Sequence, residues 1–262
     1  MHIFQDPVIQ AVGTLAGTGT SGYQNGPTTS ALFNSPNGIA VDPLNGNVIV
    51  ADTVNYVIRL INITSNSVST LAGVNGNIGY QDGPTTSALF NSPNGVAVDP
   101  FNGNVIVADS GNYIIRLINI TSNIVSTLAG TGTSGYQDGL TTSALFNSPN
   151  GIVVDPSNGN FIVADSANNV IRLINITSNN VSTLAGTGIR KAGFLDGPMT
   201  SALFYLPAGV AINPLNGNVI ISDSGNNAIR YSGSISELSN FFKHKIFCSF
   251  FFFCLEIIFQ KK

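Results

Sequence analysis

The chain has 262 residues, of which 43% are hydrophobic and only 9% are charged, and its formal net charge is -3. Soluble domains average about 25% charged residues, and here glycine, asparagine, serine and threonine take their place. This composition favours turns and short strands over helices with charged faces. Four of the five lysines lie in the last twenty residues, so the rest of the chain is acidic. We therefore expect no nucleic-acid partner.

Both cysteines, Cys248 and Cys254, lie near the C-terminus, so no disulfide framework or thiolate metal site is expected in the remainder. Residues 1–13 lack a basic segment followed by an apolar run, and we expect no secretory signal peptide. A cytoplasmic location is the default expectation, and an extracellular one is the alternative.

The sequence repeats itself every 56 or 57 residues. Thr-Leu-Ala-Gly begins at Thr14, Thr70, Thr127 and Thr183, and Ser-Ala-Leu-Phe begins at Ser30, Ser87, Ser143 and Ser201. In one unit, four apolar runs are typical of strands, at 95–99, 105–108, 114–120 and 125–129. Tight turns between them, one with an Asn-Gly pair, predict an antiparallel meander. A lone meander cannot cover both its faces, and radial stacking into a β-propeller covers both. A solenoid is the competing arrangement.

The units are joined by longer linkers, at 17–36, 73–93, 130–149 and 186–207, of 20, 21, 20 and 22 residues. All length variation falls in these linkers, as expected for surface loops. The apolar Leu145 and Phe146 lie within one of them, and we expect them to pack between adjacent blades.

The unit resembles a known family through a set of linked motifs. They are Asp138-Gly139, Ser143-Ala-Leu-Phe146, Pro149-Asn-Gly-Ile152, Asp155, Asn160, Ala164-Asp165, Asn168, Ile171-Arg172 and Val181-Ser-Thr-Leu-Ala-Gly186. This pattern resembles the NHL repeat and covers about residues 13–231. The resemblance implies a β-propeller of the TolB-like superfamily, usually six-bladed, and it implies no single activity.

The predicted fold class is all-β, with four antiparallel blades at about 38–73, 95–130, 151–186 and 209–231, within a repeat domain at 1–235. The last blade lacks a clear fourth strand, whereas residues 8–16 form an orphan fourth strand. In propellers such a strand often completes the last blade. A compact four-bladed ring and an arc of an incomplete six-bladed ring are the two alternatives, and our hypothesis is the arc. An arc exposes apolar blade faces through which the chain could self-associate.

Residues 236–262 form a hydrophobic tail, whose phenylalanine-rich part at 246–259 is shorter than the roughly 20 residues of a spanning helix. Read-through of a damaged gene, a plug on the open propeller edge and a membrane anchor are three interpretations. We rank membrane contact last.

Each blade carries an aspartate seven residues before an arginine: Asp52 and Arg59, Asp109 and Arg116, Asp165 and Arg172, Asp223 and Arg230. A catalytic site needs one nucleophile and one base, whereas these residues recur in every unit. We therefore interpret them as structural ion pairs or turn caps. Replacing Arg116 with alanine is expected to destabilise the fold more than replacing Arg190.

The sequence offers little for metal or nucleophilic catalysis. Asp42, Asp99 and Asp155 precede Pro-x-Asn-Gly-Asn, but this spacing is not that of a calcium loop, and we interpret it as a turn. The histidines and glutamates, which are His2, His244, Glu237 and Glu256, lie outside the repeats. We predict no enzyme activity, no catalytic or metal site and no cofactor.

Asn-x-Thr or Asn-x-Ser sequons begin at Asn62, Asn119, Asn175 and Asn180. They are glycan acceptors in a secreted protein, but the same residues suit the turn after the third strand. Without a signal peptide, we favour the turn.

The residues that vary between units lie in the second turns and the exit linkers, which emerge on one side of a meander. The candidate binding residues are Tyr56, Tyr113, Asn169, Asn227, Asn75, Asn77, Arg190 and Lys191. Tyrosine and arginine are enriched in binding hot spots. The sequence therefore predicts a binding or scaffold module with a protein or glycan partner. The alternative is a fragment of a propeller hydrolase or lyase whose catalytic residues lie in missing blades.

Overall fold

The computed structural model describes residues 11–188 and 191–233, and they form four antiparallel sheets arranged as propeller blades. Blade 1 holds β1 (Gly26–Pro27), β2 (Pro36–Val41), β3 (Val48–Asp52), β4 (Val57–Asn62) and β5 (Ser67–Ala72). Blade 2 holds β6 (Gly83–Pro84), β7 (Pro93–Val98), β8 (Val105–Asp109), β9 (Ile114–Asn119) and β10 (Ile124–Ala129). Blade 3 holds β11 (Gly139–Leu140), β12 (Pro149–Val154), β13 (Phe161–Asp165), β14 (Val170–Asn175) and β15 (Asn180–Ala185). Blade 4 holds β16 (Pro207–Ile212), β17 (Val219–Asp223) and β18 (Ala228–Tyr231).

The four-stranded meander predicted from the sequence is confirmed in blades 1–3, with strand bounds that differ by one or two residues. The sequence did not predict a fifth strand of two residues, which the linker contributes. In blade 2 this strand is β6, and it pairs with β10 on the outer edge. Gly83 has a φ of +130° there, a conformation that L side chains rarely adopt.

The core lies between blades rather than within one of them. Phe146, from the linker before blade 3, is fully buried and packs with Ala97 and Ile106 of blade 2 and with Val163 and Ile174 of blade 3. This confirms the predicted place of the Phe146 side chain. Leu145 is only partly buried.

The described blades form an open arc. The innermost strands β2 and β7, β7 and β12, and β12 and β16 pack on one another in turn, whereas β2 and β16 show no packing of that extent. Ile39 on β2 is accordingly 64% exposed, while its equivalent in blade 2, Val96, is buried. Blade 4 has three strands among the described residues, as the sequence indicated. The number of blades in a complete ring stays a prediction.

The terminal segments contribute little to the described structure. Residues 11–16 are not in a strand, whereas residues 8–10 and the predicted tail at 236–262 lie outside the described part of the chain. The helices within 11–188 and 191–233 are 3₁₀ turns of three residues, and none is a candidate to span a membrane.

Adjacent blades approach most closely at a glycine in the first strand. A Cβ atom on Gly95 would overlap the backbone carbonyl oxygen of Asn150 in the next blade. At the equivalent Gly209 of blade 4 the nearest atom is Oγ of Ser222, on a side chain that can turn away.

We predict that Gly95→Ala lowers the free energy of unfolding by at least about 2 kcal/mol, because two backbones must move apart. Gly209→Ala is the matched control and is expected to cost clearly less. Urea denaturation of dilute protein measures both, and equal costs would contradict the blade contact described above.

Candidate functional site

The same side-chain geometry recurs in each blade around one buried arginine. In blade 2 the Arg116 side chain is fully buried, and its Nη1 donates to a carboxylate oxygen of Asp109 at 3.0 Å and to the carbonyl oxygen of Leu89 at 2.9 Å. Its Nη2 donates to the carbonyl oxygen of Gln81 at 2.8 Å and to Asp82 at 2.6 Å. Four of the five N–H donors of a guanidinium are therefore satisfied. We call this arrangement the arginine clamp.

Two aromatic rings lie against the guanidinium. The Arg116 Cζ lies 5.4 Å from the centre of the Tyr80 ring and 4.9 Å from that of Phe90. Such cation–π contacts stabilise a desolvated cation. Because Gln81, Asp82 and both rings belong to the linker, the clamp fastens each linker to the blade that follows it.

The clamp recurs in all four blades with two departures. Asn25 takes the place of the linker aspartate in blade 1 and accepts from Nη2 of Arg59 at 2.8 Å. In blade 4, Asp196 accepts from both Nε and Nη2 of Arg230, at 3.1 and 2.7 Å, and is 83% exposed. The structural interpretation of the four Asp–Arg pairs thus agrees with the geometry. The recurring aromatic-x-Asp-Gly motif of the linkers is the sequence signal for the second carboxylate of the clamp, a role that the sequence alone did not reveal.

The blade aspartates are buried among hydrogen-bond donors. Asp109 accepts from the Asn91 backbone N–H and the Asn112 side chain as well as from Arg116. Burial outweighs these bonds and raises the pKa of Asp109 to about 6. Burial likewise raises the pKa of Asp165. All four blade aspartates are fully buried.

The aspartates of the first turns cap their own turns. Asp155 accepts from the backbone N–H and hydroxyl of Ser157 and from the Asn158 side chain. Slight burial opposes the shift, but these bonds hold the pKa of Asp155 below its usual value. Asp42 and Asp99 bind equivalent donors. Across 11–188 and 191–233, no three His, Cys, Asp or Glu side chains are grouped to hold a metal ion.

The described candidate binding residues belong to the second turns and the exit linkers, which together we call the loop face. In blade 1 the exit linker touches the second turn, since the Gly76 N–H donates to the carbonyl oxygen of Asn55. Asn75, Asn77 and Lys191 are exposed, whereas Arg190 lies outside the described residues.

The second-turn positions share an unusual backbone. Tyr56, Tyr113, Asn169 and Asn227 end the 3₁₀ turns with φ between 54° and 59°. Asparagine tolerates this left-handed conformation well, and a bulky residue there is an outlier. Tyr56 and Tyr113 are half-buried, Asn227 is exposed, and Asn169 is buried and accepts from the Leu206 N–H. Asn169 is therefore a contact between blades 3 and 4 rather than a free surface residue.

The opposite face of the arc carries apolar side chains that the sequence reasoning missed. Leu44, Phe101 and Leu215 stand in the Pro-x-Asn-Gly turns and are 60–83% exposed. An apolar residue within a turn of polar residues was the available signal. The sequon residues lie beside this face, where the carboxamide oxygens of Asn62, Asn119 and Asn175 accept backbone N–H groups of their turns.

Repeated antiparallel blades around a common axis, each locked by the same internal clamp, define a β-propeller repeat protein. A sequence model described as the NHL repeat matches residues 90–115 and 146–172. The chain thus carries NHL repeats. It is 33% identical over 284 residues to Protein SUPPRESSOR OF QUENCHING 1, chloroplastic, of Arabidopsis thaliana, covering 83% of this chain and 26% of that protein. It is 34% identical over 112 residues to human NHL repeat-containing protein 2, covering 42% and 15%.

Solved structures share the propeller fold at low sequence identity. An auxiliary nutrient binding protein from Bacteroides ovatus superposes with a TM-score of 0.61 at 19% identity, covering 77% of this chain and 48% of the other. A chain of a nidogen/laminin complex gives 0.54 at 18%, covering 75% and 60%. A gluconolactonase from Xanthomonas campestris gives 0.53 at 15%, covering 75% and 57%. These likenesses show the fold alone. The chain spans about a quarter or less of the two curated relatives above.

We predict that Asp109→Asn lowers the free energy of unfolding by about 2 kcal/mol, because the asparagine NH₂ would be a donor where the Asp109 carboxylate accepts from Arg116 and Asn112. Asp82→Asn is the matched control, since Asp82 is 43% exposed and blade 1 already carries Asn25 at that position. We expect Asp82→Asn to cost less than about 1 kcal/mol. Chemical denaturation at pH 7 compares them, and a costly Asp82→Asn would show that the linker carboxylate dominates the clamp.

The pKa values of Asp109 and Asp155 predict opposite effects of acid. The pKa of Asp109 is higher in the folded chain than its usual value, so lowering the pH from 7 towards 4 makes its contribution to stability more favourable. The pKa of Asp155 is lowered, so its contribution is lost as the pH falls below 4. Carboxyl ¹³C NMR titration should place the midpoint of Asp109 near 6 and well above that of Asp155. Coincident midpoints would contradict the prediction.

Proposed function

We propose that this protein is a non-enzymatic binding or scaffold module that holds a protein or glycan partner on its loop face. The observation that carries this proposal is the pair of tyrosines, Tyr56 and Tyr113, in left-handed backbone conformation. Strained residues of this kind concentrate at ligand-binding positions. Blades 3 and 4 show that asparagine fits the same turn, so tyrosine is not needed for the turn itself.

The distribution of charge supports the same proposal. The four blade arginines and their blade aspartates are buried inside the clamps. Lys191 is exposed on the loop face. What the loop face offers a partner is therefore aromatic surface, amide groups and a cation, a set suited to recognition.

We predict that Tyr56→Asn and Tyr113→Asn each raise the free energy of unfolding by up to about 1 kcal/mol, because asparagine relieves the strained turn. The matched reverse change, Asn227→Tyr, should lower it by a similar amount. Thermal and urea denaturation measure both. A loss of stability in the Tyr→Asn variants would mean that the tyrosines serve the fold.

Binding is tested with a loop-face variant that combines Tyr56→Asn, Tyr113→Asn and Lys191→Ala. An opposite-face variant, with Leu44→Ser and Phe101→Ser, is the control. Glycan arrays and displayed protein libraries are probed with all three proteins. Ligands held by the wild type and the control but lost by the loop-face variant are the expected result.

Two results would contradict the proposal. If ligands were lost only by the opposite-face variant, the binding surface would lie at the apolar turns instead. Hydrolysis of sugar lactones by the purified chain, above the rate without protein and with or without added Ca²⁺, would favour the hydrolase alternative.

A further inference from the structure

Among residues 11–188 and 191–233, blade 4 has an open slot where the other blades hold a fourth strand. A groove of about 530 Å³ lies along β18, and its lining includes Phe194, Asp196, Phe204, Ile221 and Arg230. In blade 3 the corresponding space is filled by β15, which lies between β14 and the short linker strand β11. Both edges of the slot in blade 4, at β18 and at residues 197–198, therefore present backbone groups to an incoming strand.

The chain contains a second example of the strand that fills this space. Residues 12–17 read Val-Gly-Thr-Leu-Ala-Gly, and the fourth strands read Val-Ser-Thr-Leu-Ala-Gly from Val68, Val125 and Val181. Those three valines are buried in their blades, whereas Val12 is fully exposed. Segment 12–16 thus has the sequence of a fourth strand and no blade around it.

Segment 12–16 is held at blade 1 of its own chain. The Gly17 N–H donates to the carbonyl oxygen of Thr28 at 2.9 Å, as the Gly186 N–H donates to that of Met199 at 2.8 Å. Gly186 follows β15, the last strand of blade 3, and leads into blade 4. By the same geometry, Gly17 leads into blade 1 from the blade that should precede it. β2 and β16 lack the close packing that joins consecutive first strands, and Gly209 meets Ser222 instead of a next blade, so blade 4 of the same chain does not take that place.

We propose that the slot of blade 4 binds segment 12–16 of a second copy of this chain, so that copies join head to tail. Blade 1 of one copy then packs on blade 4 of the other as blade 4 packs on blade 3. Such strand addition combines backbone hydrogen bonds with side-chain pockets. The interface joins two different surfaces, so it is heterologous, and the rotation between copies decides whether a ring or a filament forms.

Polar groups on the two sides match. In blade 2 the linker Asp82 accepts from the backbone N–H and hydroxyl of Thr127 on β10, at 2.9 and 3.0 Å. In blade 4 the equivalent Asp196 is 83% exposed, and Thr14 of the second copy is the equivalent of Thr127. One polar contact is lost, because Phe194 replaces the tyrosine whose hydroxyl pairs with the threonine in the other blades.

At the two ends of the arc, groups that join consecutive blades elsewhere face no second blade among the described residues. The hydroxyls of Thr53, Ser110 and Ser166 donate to the carbonyl oxygen of the proline that begins the next blade, which is Pro93, Pro149 or Pro207. Ser224 of blade 4 is exposed, and Pro36 of a second copy would supply its acceptor. Ile229 is 73% exposed, whereas its equivalents Ile58, Ile115 and Ile171 are fully buried.

Two single changes test the two halves of the interface. Val12→Asp places a charge on the donor segment and Ile229→Asp places one in the slot, so each change should prevent docking of the strand. Neither change should disturb the monomer, because both side chains are exposed there. Ile120→Asp, at an exposed turn of a middle blade, is the control. Circular dichroism establishes that all three variants are folded.

Light scattering after size exclusion gives the mass. Wild type and Ile120→Asp should exceed the 27.3 kDa of one chain in a concentration-dependent way, whereas Val12→Asp and Ile229→Asp should each stay at that mass. An equimolar mixture of the two variants should form a capped dimer of twice the mass, because one chain keeps the slot and the other keeps the donor strand.

Three results would overturn the proposal. A monomeric wild type at all concentrations would mean that another segment of the same chain fills the slot. A mixture that stays monomeric would exclude exchange between chains. Association that survives both single changes would place the interface elsewhere. These readouts are independent of ligand binding at the loop face, so the two proposals fail separately.

Discussion

The buried guanidinium of each blade is the constraint on which the rest of the structure depends. A desolvated arginine is costly unless its donors are met at fixed places, and in blade 2 Arg116 requires a carboxylate from β8, a second one from the linker, and two linker carbonyl oxygens. The linker acceptors lie 27 to 35 residues before Arg116 in the chain, whereas Asp109 lies seven residues before it. The linker therefore has one path across the blade, and its length variation is confined to the part before the clamp.

The clamp in turn positions the contacts between blades. Phe90 and Phe146 lie against the arginines of blades 2 and 3 on one side and enter the core with the preceding blade on the other. The same linkers carry the two-residue strands that bind the outer edge of the fourth strand. Blade 4, which has no fourth strand among the described residues, keeps its clamp in a changed form, since one carboxylate oxygen of Asp196 accepts from both Nε and Nη2 of Arg230. The ion pair between Asp196 and Arg230 in blade 4 therefore differs from the equivalent pairs in the blades that hold a fourth strand.

Much of this fold could be predicted from the sequence, because the repeat displays each strand and turn four times. Apolar runs and turn residues predicted the hairpins and the place of Phe146. They also predicted that blade 4 would lack a clear fourth strand, and its described residues form three strands. The clamp could be predicted only in part. The pairing of Asp109 with Arg116 lies within one blade, whereas the role of Asp82 depends on a linker path that propensity does not describe. The exposed Leu44 and Phe101 were missed for a related reason, since the turn motif fixes the backbone and leaves the variable position unconstrained.

The candidate site is harder to predict than the fold because repetition hides it. In a repeat protein the residues that recur are those that each blade needs for packing. Here they include almost every charged side chain of the described residues. Binding groups must then come from positions that the framework leaves free. Tyr56 and Tyr113 stand out among these positions because their backbone conformation is unfavourable for tyrosine, and the equivalent turns of blades 3 and 4 hold asparagine there. Asn169, in contrast, takes part in a contact between blades 3 and 4. A variable position is therefore a binding candidate only when no neighbouring blade uses its side chain.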